Sequence, residues 1–276
     1  MRATGSEAFS VEAGGTHLAG ERWGAGNPVA VFLHAGVCDR RSWRQLVGHL
    51  EATGAAVAYD RRGHGETPLG SDDLDHLGDL LSVLDLVSPA GPVWLVGSSM
   101  GGSLALDAAL EAPDRVAGLV LLAPGVSGQP EVPLDPATDR LEEQIVEAIE
   151  SGDLATANRL EIRLWLDGPL AAEGRVTGEA RELALAMNRL LLERAEPPED
   201  AGAGDVAAWE RLGELDLPVT VLCGDLDVPS ILETSRRLPA LIAGADYHEL
   251  PGMAHLPYLE DPAAVAALVD QALATG

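Results

Sequence analysis

The stretch Pro92-Val93-Trp94-Leu95-Val96-Gly97-Ser98-Ser99-Met100-Gly101-Gly102 decides the fold. A short apolar run precedes a G-x-S-x-G pentapeptide, and a helix-like stretch continues to Leu110. A strand, a tight glycine-flanked turn and a helix are the context in which this pentapeptide forms a nucleophile elbow, with Ser99 exposed at the turn and the helix N-terminus directed at it. Because glycine and serine are common, the same pattern also occurs in ordinary strand-to-helix turns, and the rest of the chain must decide between the two interpretations.

Apolar runs of the same kind recur through the chain and cover residues 29–33, 55–59, 93–96, 119–122, 218–223 and 247–250. Stretches with helical periodicity lie between them, and near-continuous apolar strands that alternate with helices indicate a parallel sheet covered on both faces. The opening segment 9–23, with Gly14-Gly15 at its middle, predicts an antiparallel hairpin at the sheet edge. The predicted fold class is therefore α/β, with a mostly parallel eight-stranded sheet flanked by helices.

The middle of the chain has a different pattern. No convincing strand lies within residues 125–213, whereas apolar residues recur at helical spacing in 141–150, 154–166 and 179–194. The stretch 197–204 is rich in Pro, Gly and acidic residues and predicts a loop near the exit of this region. We predict a helical cap, residues 125–213, inserted between two strands of a core formed by residues 1–124 and 214–276.

The charge, the cysteine content and the apolar stretches of the chain limit which molecules it can bind and where it is located. The 276 residues carry 18 basic and 44 acidic side chains, a formal net charge of −26, which disfavours nucleic acid and anionic membranes as partners. Two cysteines, Cys38 and Cys223, form neither a disulfide framework nor a metal set. The start of the chain has no apolar signal region, and the longest apolar stretch is far shorter than the ~20 residues of a membrane span. We expect a soluble, cytoplasmic protein, either a monomer or a homodimer.

Two loops can supply the partners of Ser99. A serine hydroxyl needs a base to take its proton, and that base needs an acid to orient it. Asp227 follows the apolar run that ends at Cys223, and His255 follows the run that ends at Leu250. The order Ser99, Asp227, His255 is that of an α/β-hydrolase triad. Asp225 on the same loop is the alternative acid, and we expect it to form the turn instead.

The other six of the seven histidines fit the role of the base less well. His34 and His64 precede Ser99 and would require another order of the triad, and we expect His34 to hold its loop in place. His17 and His49 lack motif context. His248 lies within a predicted strand, where we expect a packing role, and His76 lies in an acidic helical stretch, where we expect it to be solvated. We therefore assign the base to His255.

An acyl-transfer site also needs donors for the developing oxyanion. One is expected to be the backbone N–H of Met100, the residue after the nucleophile, and the second is expected from the loop after the run 29–33. We place this second donor at Gly36, where a glycine allows close approach of the backbone, with Ala35 as the alternative.

With these residues in view, the chain resembles the α/β-hydrolase superfamily, and in particular the capped esterases and lactonases that include the 3-oxoadipate enol-lactonases and small carboxylesterases. The resemblance rests on segments 34–36 with Trp43, 60–65, 97–102, 224–229 and 252–257. It implies the α/β-hydrolase fold with a helical cap between strands, and it implies that Arg62 and His64 brace the loops near the nucleophile.

Two details qualify the resemblance. Ala35 stands where the superfamily usually has the glycine of a His-Gly pair, which adds a methyl group beside the oxyanion loop. Related enzymes that dehalogenate or open epoxides carry an aspartate at the elbow, and the serine at position 99 argues against those activities.

The expected activity is that of a serine hydrolase that cleaves a carboxylic ester or lactone of a small to medium-sized molecule through an acyl-enzyme, without metal or organic cofactor. A C–C bond hydrolase or a cofactor-free perhydrolase would use the same triad and is the alternative within enzymes. A ligand receptor or signalling protein that retains the triad is the alternative outside enzymes.

Specificity is expected to lie in the cap. Candidate substrate-binding residues are Ala35, Trp43, Trp165 and Met187, and further candidate walls are Leu164, Leu190 and Leu191. The alternative for each wall residue is that it packs the cap against itself. Arg40 or Arg41 could hold a substrate carboxylate if it points inward, and otherwise we expect both to be solvated. The sequence does not name the natural substrate.

Overall fold

A computed structural model describes residues 5–52, 54–89, 91–130, 132–194 and 206–275. Its centre is one eight-stranded sheet. The strands are β1 Ser6–Ala13, β2 Thr16–Trp23, β3 Pro28–Leu33, β4 Ala55–Tyr59, β5 Val93–Ser98, β6 Val116–Leu122, β7 Val219–Gly224 and β8 Asp246–Leu250.

The strand order is β1-β2-β4-β3-β5-β6-β7-β8. All neighbours from β4 to β8 pair in parallel, whereas β1 and β2 form an antiparallel hairpin and β2 joins β4 in the antiparallel sense. Gly14 and Gly15 turn the hairpin with φ of 57° and 69°, a region that favours glycine. The mostly parallel sheet and its edge hairpin confirm the predicted fold class.

Helices cover both faces of the sheet. Every residue of β4 and of β5 is buried, because each strand packs against helices on two sides. Successive side chains of a strand point to opposite faces of the sheet, and the hydrophobic residues accordingly form two clusters. One cluster contains Phe32 and Val96, and the other contains Val31 and Leu95. The helices of the core are α1 Arg44–His49, α2 His76–Val87, α3 Met100–Glu111, α8 Pro229–Leu241, α9 Pro257–Glu260 and α10 Pro262–Leu273.

The chain between β6 and β7 holds helices and no strand in its described part, residues 123–130, 132–194 and 206–218. These helices are α4 Pro136–Glu150, α5 Leu154–Ile162, α6 Glu179–Leu192 and α7 Ala208–Arg211. We call residues 125–194 the inserted segment. Ala208 and Leu212 fall within the range predicted as cap, yet they pack in the hydrophobic cluster of the core. The predicted loop 197–204 lies outside the described residues.

The predicted helix over 154–166 is interrupted. The α-helix ends at Ile162, and a π-helical turn covers Arg163–Asp167 before Gly168, which has a φ of 91°. None of the helices in the described part of the chain has the length and apolarity that crossing a lipid bilayer requires.

Candidate active site

Ser99 lies at the sharp turn between β5 and α3. Its φ of 53° and ψ of −116° fall outside the regions favoured by non-glycine residues, and its N–H donates to the carbonyl of Leu122 at 2.9 Å. A Cβ on Gly97 or Gly101 would collide with the backbone of Gly101 or Leu33, so both positions require glycine for α3 to approach the sheet this closely. The geometry is that of a nucleophile elbow, with strain held by the surrounding packing.

Asp227 and His255 form a buried pair. Nδ1 of His255 lies 3.1 and 3.0 Å from the two carboxylate oxygens of Asp227. The N–H of Val228 donates to the same carboxylate at 2.7 Å, and the thiol of Cys223 donates to it at 3.6 Å. Asp225, in contrast, is exposed and accepts from the N–H of Gly252 at 2.6 Å. The structure therefore brings Asp227, and not Asp225, to the imidazole.

Sheet topology explains why the three side chains share one region. Ser99 follows β5, Asp227 lies in the loop after β7, and His255 lies in the loop after β8. These strands are parallel and belong to the contiguous series β5-β6-β7-β8, so their carboxyl ends line the same edge of the sheet. Since His255 bonds Asp227 through Nδ1, its Nε2 is directed away from the carboxylate.

Gly36 and Met100 are neighbours in space. A Cβ built on Gly36 would lie 2.8 Å from Sδ of Met100, so the loop after β3 and the first residue of α3 meet beside Ser99. The carbonyl of Gly36 faces Nε2 of His64 at 3.0 Å. Met100 begins α3, where backbone N–H groups have no partner within the helix. The two predicted oxyanion donors thus belong to adjacent backbone segments.

His34 holds this loop. The N–H of Arg61 donates to Nε2 of His34 at 3.1 Å, so the ring proton resides on Nδ1, which donates to the carbonyl of Ala35 at 2.8 Å. Burial, aided by the nearby Arg61 cation, lowers the pKa of His34 well below its ordinary value. A neutral imidazole therefore links the loop after β3 to the loop after β4, as expected for a structural histidine.

Residues 30–268 match the family described as Alpha/beta hydrolase family. The chain belongs to this family. Over 255 residues it is 31% identical to the non-heme chloroperoxidase CPO-A1 of Kitasatospora aureofaciens, and the match covers 84% of this chain and 86% of the relative. It is 25% identical over 256 residues to a putative 2-succinyl-6-hydroxy-2,4-cyclohexadiene-1-carboxylate synthase of Bacillus subtilis (strain 168), with 88% and 89% covered.

The solved structure of a thermophilic esterase from Thermogutta terrifontis has the same fold. It superposes on this alpha/beta hydrolase with a TM-score of 0.74, covers 98% of each chain and shares 24% of the residues. At this identity the likeness concerns the fold, and it agrees with the architecture expected from the sequence.

Arg40 and Arg41, which follow β3 in this alpha/beta hydrolase, are paired with carboxylates. Arg40 is buried and donates to Asp60 and, at 2.6 Å, to Glu66, so the expectation that Arg40 is solvated is wrong. Arg41 donates to both carboxylate oxygens of Asp39: Nε lies 2.9 Å from Oδ1, and Nη2 lies 2.6 Å from Oδ2. A buried guanidinium needs a carboxylate to compensate its charge, and Asp60 and Glu66 supply this compensation for Arg40.

Of the four predicted substrate-binding residues, Trp165 lies beside His255. Its ring centroid is 4.6 Å from that of His255, at an interplanar angle of 45°. Trp43 is fully buried, and its ring is stacked on that of Tyr258, with the ring centroids 4.1 Å apart. Trp43 is therefore a core residue in this structure, which corrects the prediction that it contacts substrate. Ala35 and Met187 are also buried in the cluster that contains Trp43.

The further candidate walls differ from one another. Leu164 is buried among Leu141, Leu160 and Val228, between the inserted segment and the loop of Asp227. Leu190 is 38% exposed. Cys223 was not among the sequence candidates, although its position at the end of β7, four residues before Asp227, is a signal that could have identified it.

Proposed function

We propose that this chain is a serine hydrolase that cleaves a carboxylic ester or lactone of a small to medium-sized molecule through an acyl-enzyme. The observation that carries the proposal is the buried Asp227–His255 pair at the sheet edge where Ser99 occupies a strained turn. Strain at a nucleophile position, together with an oriented imidazole, is the combination that acyl transfer needs.

In the proposed cycle, Oγ of Ser99 attacks the carbonyl carbon while Nε2 of His255 takes the hydroxyl proton. The backbone N–H groups of Met100 and Gly36 stabilise the oxyanion of the tetrahedral intermediate. When the bond to the alcohol oxygen breaks, His255 returns the proton to that oxygen. Water then attacks the acyl carbon and gives a proton to His255, and this proton passes to Oγ of Ser99 as the acid leaves.

The substrate is expected to be neutral near its reacting carbonyl. Arg40 and Arg41, the cations next to the oxyanion loop, are already paired with carboxylates. Trp165 adds an aromatic surface beside His255. These features favour an uncharged ester or lactone over one that carries a carboxylate at this position.

Perhydrolysis is the second candidate, favoured by the 31% identity to a relative named as a non-heme chloroperoxidase. Hydrogen peroxide would then replace water in attack on the acyl-enzyme and release a peracid, with the same proton transfers through His255. C–C bond hydrolysis remains a further reaction that the same triad could perform.

The test combines turnover with covalent labelling. Nitrophenyl esters of increasing acyl length, and a lactone series, are assayed beside a fluorophosphonate that labels the reactive serine. Ser99→Ala is expected to lose labelling and to lower kcat by roughly 10⁴-fold or more, with an unchanged fold. Ser82→Ala, on α2, is the matched control and retains both. Labelling without turnover of any ester or lactone would favour a receptor, and near-normal turnover by Ser99→Ala would overturn the mechanism.

Peroxide separates the two candidate reactions. Acetate with hydrogen peroxide is expected to yield peracetate at a rate well below that of ester hydrolysis if the chain is an esterase. A faster rate of peracetate formation than of ester hydrolysis would establish the perhydrolase alternative.

A further inference from the structure

Arg175 joins the inserted segment to the loop of His255. Nε of Arg175 donates to the carbonyl of Asp167 at 3.0 Å, and Nη2 donates to that of Leu166 at 2.8 Å. Nη1 donates to the carbonyl of Gly252 at 2.8 Å and to Oε2 of Glu260 at 2.6 Å. One guanidinium thus contacts the end of the π-helical turn and, across the fold, the loop that carries the proposed base.

Glu260 extends this contact to the residue before His255. Its side chain is only 7% exposed, and its second oxygen accepts from the N–H of Ala254 at 2.6 Å. The backbone at Ala254 is therefore held by a carboxylate that is itself held by Arg175. A charge-assisted pair of this kind is stronger and more directional than a neutral hydrogen bond.

The same π-helical turn also contacts His255 directly, through Trp165. Trp165 precedes Leu166, a residue whose carbonyl Arg175 binds, and the Trp165 ring lies 4.6 Å from the His255 ring. Arg175 therefore connects two structures near His255: the turn that carries the Trp165 ring and the backbone of the His255 loop.

The backbone on both sides of Arg175 is held by hydrogen bonds to Asp167. The carboxylate of Asp167 is fully buried and accepts from the N–H groups of Gly174, at 2.8 Å, and Val176, at 3.1 Å. Arg181 donates to the same carboxylate at 2.8 Å and compensates its charge. Both chain neighbours of Arg175 are thereby fixed, which reduces the entropy lost when the guanidinium forms its contacts.

We propose that Arg175 is a positioning residue, which acts through Glu260 and the π-helical turn to set the His255 loop and Trp165 in one relative geometry. The proposal rests on the proposed function, because it assigns His255 the role of base. A displacement of the base by about 1 Å is enough to lower turnover by about 10²-fold. The ion pair therefore affects kcat although neither of its members touches the reacting atoms.

The decisive variants are Arg175→Ala, Arg175→Lys and Glu260→Gln, with Arg189→Ala as the matched control. Arg189 is also an arginine of the inserted segment, but its pair with Glu193 is exposed on α6. On nitrophenyl acetate, Arg175→Ala and Glu260→Gln are expected to lower kcat by about 10- to 100-fold with KM changed by less than about threefold. Arg189→Ala is expected to retain wild-type values.

Coupling and rescue distinguish positioning from general destabilisation. Because the two residues act as one pair, the double variant Arg175→Ala/Glu260→Gln is expected to be no slower than the slower single variant. Millimolar guanidinium is expected to restore part of the kcat of Arg175→Ala but not of Arg175→Lys. Rates are expressed per serine labelled by the fluorophosphonate, so that a loss of folded protein does not register as a loss of kcat.

Amide hydrogen exchange gives a readout that needs no substrate. Arg175→Ala, and Arg175→Lys if the first variant fails to fold, are expected to speed exchange in residues 252–256, whereas Arg189→Ala leaves it unchanged. An unaltered kcat per labelled site, or unaltered exchange in this loop, overturns the positioning role. A wild-type chain that neither labels nor hydrolyses esters contradicts the proposed function instead, and the exchange result then still decides whether Arg175 sets the loop.

Discussion

The indole ring of Trp165 and the imidazole ring of His255 lie 4.6 Å apart, although the two residues belong to different parts of the chain. Trp165 is carried by a π-helical turn that directly continues the α-helix Leu154–Ile162. The wider turn changes the direction of the side chains that follow, and π-helical turns are frequent at functional sites. The contact places an aromatic surface of the inserted segment over the proposed base.

Removal of this surface is expected to alter substrate preference more than the chemical step. Trp165→Ala should raise KM for nitrophenyl esters of longer acyl chains severalfold, because the apolar contact is lost, and should leave kcat for the acetate ester within a few-fold. Trp165→Phe retains an aromatic ring and should keep most of the preference. A KM that does not depend on this side chain for any acyl length would argue against Trp165 as part of the binding site.

The two acidic residues of the loop after β7 are expected to respond very differently to the same change. Asp227→Asn places an amide against Nδ1 of His255 and favours the wrong tautomer, which should lower kcat by about 10⁴-fold. Asp225→Asn changes an exposed acceptor of the Gly252 N–H and should alter kcat by less than about threefold. Steady-state kinetics on one nitrophenyl ester measure both, and equal losses would contradict the assignment of the acid.

Two glycines near Ser99 are expected to differ in their tolerance of a methyl group. Gly101→Ala would drive its Cβ into the backbone carbonyl of Leu33, which cannot move without displacing β3, and should lower the free energy of unfolding by about 2 kcal/mol or more. Gly36→Ala meets the flexible thioether of Met100 at 2.8 Å and should cost less than about 1 kcal/mol. Urea unfolding of the two variants measures the difference, and the reverse ranking would show that the elbow is packed differently.

Buried neutral histidines predict a loss of stability in mild acid. His76 is one of them, so the expectation that it is solvated is wrong. Burial lowers the pKa of His64 to about 4 and that of His76 to about 3, and it lowers the pKa of His34 as well. Between pH ~6.5 and these folded-state values, the unfolded chain binds protons that the folded chain does not, so the free energy of unfolding falls as pH falls. Each such histidine contributes up to about 1.4 kcal/mol per pH unit.

A single variant isolates one of these contributions. The urea midpoint of His76→Gln should depend less steeply on pH between 6.5 and 5 than that of wild type, by the contribution of one histidine. Because the variant is compared with wild type at the same pH, other groups that titrate in this range cancel. Parallel curves for His76→Gln and wild type would exclude a neutral buried imidazole at this position.

Both thiols are expected to be inert in the folded chain. Cys38 and Cys223 are buried, and burial raises the pKa of Cys38 to about 12 and that of Cys223 further. Iodoacetamide reacts with thiolates, so native protein at pH 8 should remain unmodified by mass, whereas both cysteines should react in denaturant. Rapid alkylation of native protein would show that the strand end beside Asp227 opens in solution.

Most of the fold could be predicted from local sequence patterns. Short runs between turn residues marked β3 to β8, and the Gly14-Gly15 turn marked the hairpin of β1 and β2. The glycine-flanked turn after β5 defined the elbow, because strand period and turn chemistry are properties of neighbouring residues. Ser99, Asp227 and His255 could be identified as candidates because each follows the end of a predicted strand. The interruption of the helix at Ile162 was not predicted, because the apolar spacing of 154–166 continues through the π-helical turn.

The sequence by itself determined the α/β hydrolase architecture and the candidate triad, since both depend on residues adjacent in the chain and on the rule that parallel strands end at one edge. Only the tertiary structure decided that Asp227 rather than Asp225 contacts His255, and that Trp43 packs on Tyr258. It also placed Arg175 against Glu260, 85 residues away. Such contacts depend on how separate elements pack in three dimensions, and no local periodicity encodes them.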